Sequence, residues 1–61
     1  MSSVYNPEAD TIARIEQLEL EVRETRRRIE HAASEQDKRV LNKQITELHD
    51  EIEFLKSKLD K

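Results

Sequence analysis

Four arginines, Arg23 and the run Arg26-Arg27-Arg28, are the residues of this chain whose spacing most suggests binding chemistry. Clustered guanidinium groups bind phosphate oxygens and carboxylates, so their ligand would be a nucleic acid or an acidic protein surface. No aromatic residue that could stack on a base lies near them. The chain also carries eleven Lys and Arg against fourteen Asp and Glu, a net charge of −3. We therefore keep nucleic-acid binding only as an alternative function.

The two histidines, His31 and His49, are the next candidates, because each has a glutamate four residues later, Glu35 and Glu53. A surface metal contact could therefore be drawn for either histidine. Two ligands are too few for a structural zinc site, which has four. We expect both histidines to be exposed and the protein to need neither a metal nor another cofactor.

The composition gives catalysis no support. The chain has no cysteine and no glycine, which excludes thiolate nucleophiles and glycine-rich phosphate loops. Its 61 residues, 41% of them charged, are too few and too polar to surround a deep pocket. We therefore expect a protein that is not an enzyme and has no small-molecule substrate.

Helix is the predicted structure for nearly the whole chain. From Glu8 to Lys61 there is neither glycine nor proline, and residues with high helix propensity dominate. The run Asn6-Pro7-Glu8 has the features of a helix start, with an N-cap side chain before a proline in the first turn. The elements that must position any functional side chain are therefore helices.

Apolar residues recur in alternating steps of three and four, which is the heptad spacing of a coiled-coil seam. β-Branched residues mostly occupy position a and leucines position d, and almost all other positions are polar. The seam residues are Ile15, Leu18, Val22, Thr25, Ile29, Leu41, Ile45, Leu48, Ile52, Leu55 and Leu59.

The apolar stripe changes phase in the middle of the chain. The first register, extended forward, places position a at Gln36, whereas the second, extended backward, places it at Lys38. Stutters and stammers shift a coiled coil by four or three residues, so a shift of two favours a change of chain direction. We therefore predict an all-α, two-helix antiparallel coiled-coil hairpin that self-associates. Its parts are a flexible tail 1–6 and a single domain 7–61, made of helix 7–33, a turn at about 34–36 and helix 37–60.

Two registers of this hairpin would bring the stripes together. A centre near Glu35 places Val22 opposite Leu48, whereas a centre nearer Lys38 places Val22 opposite Leu55. The first matches the apolar layers slightly better, and we prefer it.

Each register also implies polar contacts. In the first, Ser34 could cap the second helix, with Asp37 three residues later in a pattern like a capping box. The second brings Glu19 near Lys56, but an exposed ion pair contributes only ~0.2–1 kcal/mol and does not decide between them.

A long parallel dimeric coiled coil is the alternative architecture. β-Branched residues at a with leucine at d favour parallel dimers, and pairs such as Arg14 with Glu19 are available between two chains. No glycine, proline or asparagine in residues 31–39 forces a turn. The chain would then be an extended spacer about 80 Å long, against about 40 Å for the hairpin.

The predicted hairpin resembles the general plan of small two-helix proteins that dimerise into four-helix bundles. The run Leu48-His49-Asp50, with Leu55 a heptad later, is similar to part of the second helix of the plasmid RNA-binding Rop regulators, over roughly a dozen residues. The first helix lacks the phenylalanine-centred RNA-binding face of those regulators. The resemblance therefore implies an architecture and no more.

One seam is a marginal core for a lone hairpin, so we expect a homo-oligomer, with a dimer favoured, or a helical protein partner. Among apolar residues outside the seam, Phe54, Leu20 and Tyr5 are expected to contact that partner. The expected function is a protein–protein interaction or oligomerisation module. An extended coiled-coil spacer and a helical regulator that binds nucleic acid through Arg26–Arg28 are the alternatives.

The location that we expect is the cytoplasm. No apolar run approaches the ~20 residues that cross a membrane, and the amino terminus lacks the apolar segment of a signal peptide. The absence of cysteine gives no indication of an oxidising compartment.

Overall fold

The computed structural model describes residues 7–59. It consists of two α-helices, α1 (Pro7–Glu30) and α2 (Glu35–Leu59), which pack against each other. The chain folds back between them, which confirms the predicted all-α hairpin, and the continuous helix of the alternative architecture is not formed. The predicted tail 1–6, with Tyr5 and the Asn6 cap, lies outside the described residues.

The charges at the helix ends suit the helix dipole. Each helix has two acidic residues in its first turn, where the dipole is positive, and two basic residues in its last turn, where it is negative. These residues are Glu8, Asp10, Arg27 and Arg28 in α1, and Glu35, Asp37, Lys56 and Lys58 in α2. α1 also begins at Pro7, whose fixed φ suits the first helical position.

The turn occupies residues 31–34, a few residues earlier than the predicted 34–36. α1 ends at Glu30 rather than at 33, and α2 begins at Glu35 rather than at 37. The cause is Ser34, whose hydroxyl oxygen accepts a 3.2 Å hydrogen bond from the amide of Asp37. A residue that caps a helix in this way must stand just outside it, so the turn precedes Glu35.

The end of α1 tightens before the turn. The amide of His31 donates to the carbonyl of Arg28, and the amide of Ala32 donates to that of Ile29, both at 3.1 Å. Hydrogen bonds from an amide to the carbonyl three residues earlier are typical of a 3₁₀-like turn at the end of a helix. No residue in the described range 7–59 has a positive φ. The turn therefore closes without the left-handed residue that usually requires glycine or asparagine.

The core is one narrow strip between the helices. Its buried side chains are Ile15, Leu18, Val22 and Thr25 of α1 and Ile52 of α2. Four partly buried side chains of α2 pack against the apolar members of this strip: Ile45, Leu48, Leu55 and Leu59. The two seam residues nearest the turn, Ile29 and Leu41, are also partly buried.

Two ion pairs across the seam show how the helices are aligned, and one of them, Glu19 with Lys56, is the pair expected from the register centred nearer Lys38. The Arg14 guanidinium lies 3.2 Å from the Glu51 carboxylate, and the Lys56 ammonium lies 3.9 Å from the Glu19 carboxylate. The first pair occupies g positions and the second e positions, so they flank opposite sides of the seam. The position midway along the chain between the two partners is 32–33 for the first pair and 37–38 for the second. The centre of the hairpin lies halfway between these two positions, at Glu35, as in the register that we prefer.

The hairpin is elongated. Its principal dimensions are 53 × 25 × 11 Å and its radius of gyration is 15.2 Å, whereas a compact domain of this length would have a radius of about 10–11 Å. Within residues 7–59, neither helix has a segment long and apolar enough to cross a membrane.

Candidate interaction surface

The two helices bury their seams unequally. α1 buries four of its five seam residues, all except Ile29, and Leu18 is only 1% exposed. α2 buries Ile52 alone, and its other five seam residues remain partly exposed. A helix with a single neighbour cannot cover both edges of its apolar stripe, so each edge of the seam opens onto a surface groove.

The first groove, which we call the Val22 groove, has Val22 and Ile52 at its floor and a volume of about 300 Å³. Its walls are charged or polar: Glu19, Arg23, Arg26, His49, Glu53 and Lys56. Arg23 and Arg26 lie on the side of the turn. Glu19 and Glu53 lie toward the open end, where α1 begins and α2 ends. Lys56 also lies at the open end, so the turn end of the groove carries two positive charges and the open end carries two negative charges and one positive charge.

The second groove, which we call the Leu48 groove, follows the other edge of the seam and measures about 410 Å³. Thr25 and Leu48 contribute to its floor. Its walls carry four carboxylates and one guanidinium: Glu21, Glu24, Glu47, Glu51 and Arg28, with Gln44. The Thr25 hydroxyl donates a 2.8 Å hydrogen bond to the Glu21 carbonyl, so this buried polar group is satisfied within α1. The Leu48 groove is acidic.

The arginines singled out in the sequence do not share one surface. Arg23 and Arg26 line the Val22 groove, whereas Arg28 lines the Leu48 groove and Arg27 lies between the two on the outside of α1. Successive residues of an α-helix point about 100° apart, which divides the run. In the described part of the chain, neither Arg23 nor Arg26 takes part in an ion pair. These two guanidinium groups are available to a partner.

Outside the seam, several large apolar side chains are exposed. Phe54 is 59% exposed and Leu20 51%, and both point away from the helix interface. The Lys58 ammonium nitrogen lies 4.8 Å from the centre of the Phe54 ring. Sequence reasoning missed Ile12, which is 47% exposed. Its heptad position, e, was the available signal, because that position borders the seam.

The histidines lie far apart on the hairpin. His31 is exposed in the turn, and His49 is an exposed residue of the Val22 groove. Among residues 7–59 there is no group of three or more His, Cys, Asp or Glu side chains that could hold a metal ion.

Comparisons with known proteins found no relative. No protein-family model, no curated protein and no solved structure matches this chain.

Proposed function

We propose that this chain is a non-enzymatic protein–protein interaction or oligomerisation module, which acts through its seam as a coiled-coil surface. The observation that carries the proposal is the size of the core, because only five described side chains are buried and only Leu18 is fully so. Chains of this size rarely gain more than about 3–5 kcal/mol from one core. The proposal includes the cytoplasmic location expected from the sequence.

Small proteins usually supplement such a core with disulfides, a metal ion or association. The chain has no cysteine, and its described part has no cluster of metal-ligating side chains. Association with another helix is the remaining route, and partly exposed seam residues of α2 provide apolar surface for it. Covering what remains exposed of each would contribute roughly 0.5 kcal/mol at about 25 cal/mol per Å².

The solvent exposure of the seam side chains tests this proposal directly. Hydroxyl-radical footprinting, read by mass spectrometry, reports the solvent exposure of individual Ile and Leu side chains. We expect labelling of at least one of Ile45, Leu48, Leu55 and Leu59 to fall as the protein concentration rises from micromolar to millimolar, or when a captured protein is added. Labelling of Val40, which is exposed near the turn and off the seam, serves as the control. Unchanged labelling of all four under every condition would contradict the proposal.

Phe54 and Leu20 are included as contacts for a partner other than a second copy. An exposed aromatic ring contributes a large apolar area at a small cost in conformational entropy, which is why aromatic residues are enriched among binding hot spots. Phe54 lies on the side of α2 that faces away from the Val22 groove. A second protein could therefore contact it while the groove is occupied.

A further inference from the structure

Charge is segregated along the hairpin. Residues 23–43 carry seven Lys and Arg against four Asp and Glu, whereas residues 7–22 and 44–59 carry three against nine. Because the helices are antiparallel, the first group forms the half that contains the turn and the second forms the open half. The molecule is therefore a rod with a positive turn half and a negative open half.

The α1 side of the Val22 groove repeats this segregation at close range. Glu16 and Glu19 lie on the groove side of α1 in the open half, and Arg23 and Arg26 follow on the same side in the turn half. Steps of three and four residues keep these side chains on one helical face. Within residues 7–59, the one ion pair that involves any of these four side chains joins Glu19 to Lys56 of α2, at 3.9 Å.

We infer that the Val22 groove binds a second copy of this chain, oriented in the opposite direction. This inference rests on the proposed function and specifies its partner. A two-fold axis that pairs the same face of two hairpins and reverses their long axes places each α1 antiparallel to the other α1. With the two copies aligned so that Glu16 of each lies opposite Arg26 of the other, Glu19 lies opposite Arg23, and symmetry repeats both contacts.

The parallel dimer is disfavoured by the same charges. With both turns at one end, a two-fold axis along the rod places α1 of one copy over α2 of the other. The two positive halves then lie side by side, as do the two negative halves, and Glu19 comes close to Glu53 of the second copy, with Lys56 of that copy one turn away. Like charges in contact oppose association and opposite charges favour it, so electrostatics selects the antiparallel orientation.

Complementary charge reversal tests the orientation. One variant carries Arg23→Glu and Arg26→Glu, and the other carries Glu16→Arg and Glu19→Arg. Each variant alone places like charges at both symmetric contacts. We expect the dimerisation affinity of each variant to be lower than that of the original chain by about tenfold or more at the same salt concentration. Mixed together, the two variants restore opposite charges at both contacts. We expect the mixture to form a heterodimer, detected by sedimentation equilibrium and native mass spectrometry.

A matched control distinguishes loss of the contact in the Val22 groove from an effect of the net charge of the turn half. Arg27→Glu with Lys43→Glu changes the net charge by the same amount in the same half, but both residues lie on the outer faces of their helices. This variant should dimerise nearly as the original chain does. Circular dichroism of every variant checks that the hairpin stays helical, and rescue by mixing cannot arise from charge effects within one chain.

The outcomes distinguish the inference from the proposed function. Loss of dimer in both variants with recovery in the mixture supports the antiparallel groove. A dimer that the reversals leave intact, or that mixing does not restore, overturns the groove and its orientation while the proposed function stands. A monomeric chain whose seam is protected only by a different captured protein also overturns the inference alone.

Discussion

The backbone amide of Asp37 donates a 3.2 Å hydrogen bond to the hydroxyl oxygen of Ser34. This bond fixes the start of α2 within residues 31–39, which contain no glycine, proline or asparagine. The amides of a first helical turn have no partner inside the helix, and the serine oxygen supplies one. Ser34 therefore separates two helices that propensity alone would join.

Removal of this cap should destabilise the hairpin. Ser34→Ala is expected to cost about 1 kcal/mol, which lowers the melting temperature of a domain of this size by about 4–8 °C. Thermal unfolding followed by circular dichroism, at one fixed protein concentration, measures the change. Ser57→Ala is the control, because that hydroxyl bonds only to the Phe54 carbonyl within α2. Equal melting of Ser34→Ala and the original chain would show that the cap is not needed.

Leu18 and Leu20 form a matched pair for testing the core. Leu18 is 1% exposed and Leu20 is 51% exposed, although only one residue separates them. Leu18→Ala is expected to cost about 2–5 kcal/mol, comparable to the whole stability of such a chain, so the variant should be unfolded at room temperature. Leu20→Ala should change the unfolding free energy by no more than about 0.5 kcal/mol. Similar losses in both variants would refute the assigned core.

Thr25 is the position where the seam can be improved. Its hydroxyl is already satisfied by the Glu21 carbonyl, and its side chain borders the Leu48 groove, which has room for a larger group. Thr25→Leu should raise the unfolding free energy by about 1 kcal/mol through added apolar burial. Thr25→Val, which adds no volume, should have a smaller effect. A lower melting temperature for Thr25→Leu would mean that the groove cannot accept the added carbon atoms.

Phe54 separates binding of a different protein from self-association. Phe54→Ala removes an exposed ring and its contact with Lys58, which is worth about 0.5–1 kcal/mol at such a site. We expect the helix content and the mass of the self-associated form to be unchanged and the capture of any other protein to weaken. Phe54→Tyr, which keeps the ring, should retain that capture. A loss of self-association in Phe54→Ala would place the interface on this side of α2 instead.

The sequence predicted the two helices and the chain reversal, because uninterrupted helix formers and a two-residue phase shift are both visible in it. It did not locate the turn correctly. Ala32 and Ala33 have the highest helix propensity of any residue type, so nothing in them marks the end of α1. Ser34 and Asp37 match a cap pattern in the sequence, but the predicted start of α2 at residue 37 lies two residues after the capped start at Glu35.

The candidate surface was harder to predict than the fold. Both seams have regular heptad spacing, so periodicity could not show that α2 would leave more of its seam exposed than α1. The Arg26-Arg27-Arg28 run looked like one patch, whereas helix geometry sends its members to different faces. Ile12 was overlooked because it occupies neither a nor d. These features depend on how one helix covers the other.

Light scattering coupled to small-angle X-ray scattering, over one concentration series of the full chain, tests the central claim of association most directly. The chain has a mass of 7.3 kDa. We predict twice that mass at high concentration, with particles shorter than the ~80 Å of a continuous helix. The mass should fall toward that of one chain on dilution or at high salt, because salt screens the charges that orient the two copies. A mass of one chain at every concentration, with no protein captured through the seam, would contradict the account.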